Sequence, residues 1–253
     1  MTFRQTFAAT WRDSVAFLVA CPLLALLPVG FELIQHVAEV HVGMYDGAAA
    51  ARAVQHHPLR MGFGFAKVMM LVIQTYWVTR YLAWRDPALA ARADPVALRC
   101  FAGLLAFNAA VAAIQLFVLP QSGPVLLATL LGGQVIGALI AAWAAAAPLG
   151  NAAIGPRASA AIMVRQLPWT WLFLFAAMLP LMIPHYALGA LAILGPKPIL
   201  WPVLVVDALL VSWLGTVIAA SCFHAALRAA TLAGVALVPP APDRATAGRL
   251  TRP

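Results

Sequence analysis

The sequence predicts an all-α protein that crosses a membrane six times. Of its 253 residues, 64% are hydrophobic and only 9% are charged, and the mean hydropathy is +0.91. Soluble domains contain about 25% charged and about 45–50% apolar residues, so a soluble fold of this length would leave much apolar surface in water. Apolar runs of about 20 residues, the length that an α-helix needs to cross a bilayer, recur along the chain.

The first 14 residues are predicted to form a short amphipathic helix in the membrane interface. Phe3, Phe7 and Trp11 recur at every fourth position, which places them on one helical face. An apolar run over residues 15–36 predicts the first span, and Pro22 and Pro28 are expected to kink it.

Five further apolar runs complete a predicted six-helix transmembrane bundle over residues 15–227. The predicted spans are 61–84, 98–119, 125–148, 169–194 and 203–226. Residues 156–166 predict a second short interfacial amphipathic helix before the fifth span. The tail, residues 228–253, is expected to be cytoplasmic and partly disordered, because its end is rich in Pro, Ala and Arg and lacks periodicity.

The distribution of arginine and lysine predicts the orientation of the chain. Six spans place both chain ends on one side of the membrane. Twelve arginines lie on that side: Arg4, Arg12, Arg80, Arg85, Arg92, Arg99, Arg157, Arg165, Arg228, Arg244, Arg249 and Arg252. Four cations lie on the other side: Arg52, Arg60, Lys67 and Lys197. The positive-inside rule therefore predicts cytoplasmic termini, and the richness in alanine and arginine indicates a bacterial inner-membrane protein.

Polar residues inside the spans predict a site. Ionisable side chains in a membrane normally face the bundle interior or a water-filled cavity, where they pair. Six polar side chains share one level in the outer half of the predicted bundle: Glu32, His36, Lys67, Gln115, His185 and Asp207. We expect a polar pocket open to the periplasm, with Lys67 paired to Glu32 or Asp207. The alternative is that these charges extend to the headgroups or form one structural ion pair.

The evidence for a cofactor or a reaction is weaker. Glu32 and His36, spaced i and i+4, share a helix face and would offer metal ligands together with His185. Further potential ligands lie in the outer loop: His41, Met44, His56 and His57. However, no HExxH motif or cysteine ligand set accompanies them. The sequence therefore predicts no metal, no cofactor and no catalytic residue, and it has no basic patch with interleaved aromatics that would predict nucleic-acid binding.

The function predicted from these features is that of a non-enzymatic membrane protein. It would bind or move a small molecule or a lipid through the outward-facing pocket. One alternative is a scaffold or accessory subunit of a membrane complex, and another is a lipid-modifying membrane enzyme. The expected partners are membrane lipids, a small-molecule ligand and a membrane protein partner.

Two short stretches carry a family resemblance. They are Trp-Val-Thr-Arg-Tyr-Leu at 77–82 and Ala-Pro-Leu-Gly-Asn-Ala-Ala-Ile-Gly at 147–155, the second followed by Ser159 and Trp169. The chain resembles uncharacterised six-span bacterial inner-membrane proteins of the YciC-like family, and the membrane domain attached to some glycerophosphodiester phosphodiesterases. The resemblance extends over most of the chain in layout, but Ala83-Trp84-Arg85-Asp86 replaces the usual short acidic ending of the first stretch. It implies a six-span fold and no particular reaction.

Overall fold

The structure, a computed structural model, describes residues 2–120 and 122–241. These residues form ten α-helices, with short 3₁₀ and π turns, and no β-strand. The helices are α1 Phe3–Ala20, α2 Pro22–His41, α3 Ala48–Val54, α4 Pro58–Trp84, α5 Pro87–Ala91, α6 Pro95–Ala113, α7 Gly123–Ala146, α8 Pro156–Met163, α9 Leu167–Leu194 and α10 Leu200–Leu232. A π turn, Ile114–Val118, follows α6, and 3₁₀ turns occupy Ala147–Leu149, Val164–Gln166 and Lys197–Ile199.

Six helical segments of the described chain are long and apolar enough to cross a membrane. They are Pro22–His41, Pro58–Trp84, Pro95–Val118, Gly123–Leu149, Pro156–Leu194 and Lys197–Leu232. The predicted all-α, polytopic fold class is therefore confirmed.

The connections between these segments define two ends of the bundle. The terminal end holds Thr2, residues 85–94, residues 150–155 and residues 233–241, and the distal end holds residues 42–57, 119–120, 122 and 195–199. At the distal end, Lys197 Nζ donates to Asp46 Oδ1 at 2.6 Å and to the Tyr45 carbonyl at 2.7 Å. At the terminal end, Asn151 Nδ2 donates to the carbonyls of Ala236 and Leu237, both at 3.1 Å. Side-chain bonds thus fasten the connections together at both ends.

The start of the first span differs from the prediction of residue 15. Helix α1 continues to Ala20, the helix breaks at Cys21, and Pro22 begins the spanning helix α2. Proline is well suited to a first helical position, because its missing N–H has no partner there in any helix. Pro22 therefore separates two helices instead of kinking one, whereas Pro28 lies inside α2.

Helix α1 lies across the terminal end of the bundle. Its first turn packs Phe3 against Trp169 and Phe173 of α9, and its last part packs Phe17 against Tyr81 of α4. The buried face of α1 includes Thr6, Thr10, Asp13 and Phe17, which recur at helical spacing. That this helix lies in a membrane interface stays a prediction.

The segment predicted as a second interfacial helix is continuous with the fifth span. Helix α8 passes through one 3₁₀ turn into α9. The buried Ser159 of α8 donates to the Leu139 carbonyl of α7 at 2.7 Å and accepts from the backbone N–H of Trp143 at 3.0 Å. Its hydroxyl thus bridges one turn of α7, which fixes α8 against that helix.

Helix α10 forms the centre of the bundle and packs against α1, α2, α4, α7 and α9. Gln74 Nε2 of α4 donates to the Ser212 carbonyl at 3.2 Å and to Thr216 Oγ1 at 3.0 Å. Ser212 Oγ in turn donates to the Ala25 carbonyl of α2 at 2.6 Å. A Cβ atom at Gly215 would collide with the Gln74 amide, so this glycine permits the close approach of α4. Such polar contacts hold apolar helices together in lipid, where apolar surface alone gives little preference for other helices over lipid tails.

The two stretches on which the predicted family resemblance rests pack against each other. Arg80, from the first stretch, is buried, and its Nη1 donates to the Pro148 carbonyl of the second at 3.1 Å. Its Nε donates to the Leu89 carbonyl at 2.9 Å, and its guanidinium lies 5.0 Å from the ring centroid of Tyr76. Arg80 therefore links the last turns of α4 to the 3₁₀ turn that follows α7.

Candidate functional site

Five of the six predicted site residues meet in the distal half of the bundle. Glu32 and His36 project from α2, Lys67 from α4, His185 from α9 and Asp207 from α10. Glu32 and His36 lie one turn apart on the same face, so both point at the contact between α2 and α10. Four helices thus contribute ionisable groups to one place.

The distances between these groups are those of ion pairs and hydrogen bonds. Lys67 Nζ donates to Glu32 Oε1 at 3.1 Å, which decides between the two predicted partners of Lys67. His185 Nδ1 lies 2.7 Å from Asp207 Oδ1. His36 Nε2 stands between the two helices, 3.6 Å from Glu32 Oε1 and 3.4 Å from Asp207 Oδ2.

Gln115, the sixth predicted residue, lies elsewhere, and this part of the prediction is corrected. It sits in the π turn that ends α6, and that helix packs on α4 and on the 147–149 turn. A π turn adds a residue to the helical turn and changes which face a side chain occupies. The Gln115 amide instead faces α7, where its Nε2 lies 3.2 Å from the point that a Cβ atom on Gly133 would take.

Further polar residues contact the site from the distal end. Glu39, one turn beyond His36 on α2, accepts hydrogen bonds from the Tyr45 hydroxyl at 2.6 Å and from Arg60 Nε at 3.0 Å. His36 Nδ1 lies 3.1 Å from Glu39 Oε2 and 3.0 Å from the Tyr45 hydroxyl. We call the whole set the distal cluster: Glu32, His36, Glu39, Tyr45, Arg60, Lys67, His185 and Asp207.

The carboxylate of Glu39 also controls the state of Tyr45. Burial and the neighbouring Glu39 charge hold the pKa of the Tyr45 phenol above its usual range. The phenol therefore stays protonated at physiological pH and remains a hydrogen-bond donor to Glu39.

Burial in the distal cluster increases from its edge to its centre. Glu32, His36 and Asp207 are only 1%, 5% and 3% exposed. The side chains of Lys67 and His185 are 19% and 24% exposed. The cluster therefore has a closed centre and two members that reach the outside of the bundle.

A cavity of about 460 Å³ adjoins the cluster at the distal end. Arg60 lines it and at the same time binds Glu39, so this side chain stands between the cavity and the cluster. The remaining polar lining comes from Arg52, Gln55 and His56. This arrangement would admit a small polar solute from the distal side to the edge of the cluster.

Two buried polar atoms at the centre have no hydrogen-bond partner within the described residues. They are Oε2 of Glu32 and Nε2 of His36. Although His36 Nε2 is close to two carboxylates, neither contact is a well-directed hydrogen bond. A buried polar atom without a hydrogen bond costs about 1–3 kcal/mol, so Glu32 Oε2 and the poorly directed contacts of His36 Nε2 call for an explanation.

Three members of the cluster were outside the set predicted from the sequence. Glu39 carries a signal, because it follows Glu32 by seven residues and therefore lies on the same face of α2. Tyr45 and Arg60 carry no such signal, since they reach the cluster only because residues 42–57 fold over the end of α2. The other outer-loop histidines, His41, His56 and His57, are exposed.

A separate ionic group lies at the terminal end. The buried Asp13 of α1 accepts from Arg85 Nη2 at 2.6 Å, and His224 Nε2 of α10 lies 3.0 Å from the same carboxylate. Burial acts to raise the pKa of Asp13, but the Arg85 hydrogen bond and charge, together with His224, outweigh it and hold the pKa below its usual range. This group joins α1 to α4 and α10. The sequence signalled it only through the placement of Asp13 on the face of Thr6 and Thr10.

Comparisons with known proteins give no assignment. No family model matches the chain, and neither a curated protein nor a solved structure is significantly similar to it. The resemblance to the YciC-like family stays a prediction, and the function has to be argued from the distal cluster itself.

Proposed function

We propose that this integral membrane protein binds a small hydrophilic cation in the distal cluster, taken up from the outer side of a bacterial inner membrane. The observation that carries the proposal is the convergence of charged groups from α2, α4, α9 and α10 in one place. Side chains that merely extended to the headgroups would diverge towards lipid. Membrane-embedded ionisable groups that converge are typical of solute and ion sites.

The charges of the cluster favour a cation. Glu32, Glu39 and Asp207 contribute three negative charges, and Arg60 and Lys67 contribute two positive charges. The three carboxylates outnumber the two basic side chains, and His36 places an imidazole nitrogen beside two of the carboxylates. Such a set of groups suits a bound cation, which would compensate the buried carboxylate charge.

The proposed orientation places the distal end outside. Among the described residues, the distal side carries Arg52, Arg60, Lys67 and Lys197, whereas the terminal side carries nine arginines: Arg4, Arg12, Arg80, Arg85, Arg92, Arg99, Arg157, Arg165 and Arg228. The positive-inside rule then assigns the terminal end to the cytoplasm. The cavity beside Arg60 would face the periplasm.

Cysteine labelling tests both access and side. In a chain whose native Cys21, Cys100 and Cys222 are replaced, Lys67→Cys and His185→Cys are treated with a membrane-impermeant maleimide on intact cells. We expect both to be labelled, because these side chains occupy the accessible edge of a polar site.

Two control positions make the result specific. Ile183→Cys lies two residues before His185 and is 65% exposed on the apolar outside of α9; a thiol in lipid stays protonated and unreactive. Ala88→Cys is exposed at the terminal end and should react only after permeabilisation. The proposal fails if the two site positions react no faster than Ile183→Cys, or react only after permeabilisation.

A further inference from the structure

We infer that the cation is a divalent transition-metal ion of the zinc class, bound between Glu32, His36 and Asp207. This inference rests on the proposed binding site and names its ligand. Each of the three residues offers one ligand atom, and these atoms all lie within 4.8 Å of one another. All three side chains are more than nine-tenths buried.

The spacing of His36 from the two carboxylates matches a metal site. Zinc binds imidazole nitrogen and carboxylate oxygen at about 2.0–2.2 Å, so ligands at tetrahedral angles stand about 3.3–3.6 Å apart. His36 Nε2 lies 3.6 Å from Glu32 Oε1 and 3.4 Å from Asp207 Oδ2. The two carboxylate oxygens lie within 4.8 Å of each other, so all three ligand atoms are close to the position that the ion would take.

Two atoms at the centre that lack a hydrogen bond would be available to a metal. Nε2 of His36 and Oε2 of Glu32 are buried and have no hydrogen-bond partner in the described part of the chain. An ion at the centre would satisfy the imidazole nitrogen and one or both oxygens of Glu32. It thereby explains a centre that hydrogen bonding alone leaves unpaired.

The outer contacts of the ligands are also those of a metal site. Metal-binding histidines usually give their other ring nitrogen to a carboxylate, which fixes the ring and raises its basicity. His36 Nδ1 lies 3.1 Å from Glu39 Oε2. Asp207 is held in the same manner through its second oxygen, Oδ1, which lies 2.7 Å from His185 Nδ1.

The ligand types and charges select the metal. One imidazole and two carboxylates suit Zn²⁺, Mn²⁺ or Fe²⁺, whereas Mg²⁺ and Ca²⁺ prefer oxygen ligands alone. Two carboxylates neutralise a divalent ion. Lys67 donates a hydrogen bond to Glu32 Oε1 and would compete with the ion for this oxygen. Its part-exposed ammonium would have to move outwards when the ion binds.

The test is zinc binding by the purified full-length chain, produced with an affinity tag that contains no histidine. We expect one Zn²⁺ per chain by equilibrium dialysis and elemental analysis, and X-ray absorption showing nitrogen and oxygen ligands without sulfur. Asp207→Asn, which preserves the shape of the side chain, and His36→Ala should each weaken Zn²⁺ binding by about 10–100-fold or more. Loss of a residue that only supports a metal ligand already costs about that much, and these two residues are ligands themselves.

Two further variants separate a metal site from a structural ion pair. Lys67→Met should tighten Zn²⁺ binding, because it removes the competing cation, whereas a purely structural pair would only lose stability. The His41→Ala/His57→Ala double variant should bind Zn²⁺ unchanged, because these exposed histidines lie outside the cluster and do not line the cavity beside it. Size-exclusion elution in detergent shows whether each variant is folded.

The inference is overturned if the folded wild-type chain binds no Zn²⁺, or if folded Asp207→Asn binds it as tightly as wild type. Failure of the proposed function gives a different pattern. If Lys67→Cys and His185→Cys are labelled but the chain binds no zinc, the outward-facing site is supported and only the metal is rejected. Zinc binding that disappears in the His41→Ala/His57→Ala variant would assign the ion to the outer histidines and reject the buried site.

Discussion

Glu39 shows how a single side chain stabilises the distal cluster. Its carboxylate accepts from Tyr45, Arg60 and Gln35 Nε2, the last at 3.0 Å, and it contacts His36. A buried carboxylate with this many donors is well compensated, but removing it leaves the donors unpaired. The cost of such a loss exceeds the net value of the interaction itself.

Glu39→Ala should therefore lower the free energy of unfolding by about 3 kcal/mol, because breaking a buried ion pair from one side leaves uncompensated charge. Tyr45→Phe removes one charge-assisted hydrogen bond and should cost about 1.5–3 kcal/mol. Chemical unfolding in mixed micelles measures both. His41→Ala, an exposed position at the end of the same helix, is the control and should change little. Equal stability of Glu39→Ala and wild type would contradict the assigned role.

The residues of the site differ in how far their positions follow from the sequence. Glu32, His36, Lys67, His185 and Asp207 were predictable, because the cost of a charge in lipid drives such groups together. The prediction for Gln115 was wrong, because the residues around it in the sequence give no signal of the π turn in which it lies. The position of Tyr45 depends on how the polar connection over residues 42–57 folds back. The periodicity of apolar residues carries no information about that fold.

At the scale of elements, Asp13 joins three helical segments. The carboxylate on α1 binds Arg85, which ends α4, and contacts His224 of α10. Its pKa lies below the usual value, so the ionised form is favoured in the folded state. For a lowered carboxyl pKa, the stabilisation is complete above the unfolded-state pKa and is lost as pH falls through the folded-state pKa.

We expect wild type to exceed Asp13→Asn in thermal stability at neutral pH, and the margin to shrink as pH falls below about 4. Melting temperatures in detergent across this range measure it. Asp46→Asn is the matched control, because Asp46 pairs with Lys197 at the surface, with the two side chains 66% and 61% exposed, and exposed pairs contribute little. A margin that persists undiminished down to about pH 3 would contradict the account.

Most helices were predictable as elements, because bilayer thickness sets the length of an apolar run. The boundary between α1 and α2 was not. Residues 15–20 are as apolar as the span that follows, and only the break at Cys21 shows that they belong to α1. Hydropathy measures the length of an apolar run. It does not show that Pro22 begins a new helix within that run.

At the scale of the whole molecule, the charge asymmetry predicts the threading. Fluorescent protein fused after Pro253 should be fluorescent, because it folds in the cytoplasm. Alkaline phosphatase fused after Ala49, in the exposed distal connection, should be active, because it requires the periplasm. The reverse pattern would place the cavity beside Arg60 on the cytoplasmic side and contradict the proposed direction of uptake.

The most direct measurement is an anomalous-difference map at the zinc absorption edge, from crystals of the full chain grown with Zn²⁺. The account predicts one peak between Glu32, His36 and Asp207, about 2 Å from each ligand atom, with Lys67 withdrawn from Glu32. A distal cluster without a peak, in which Lys67 still binds Glu32, would contradict it.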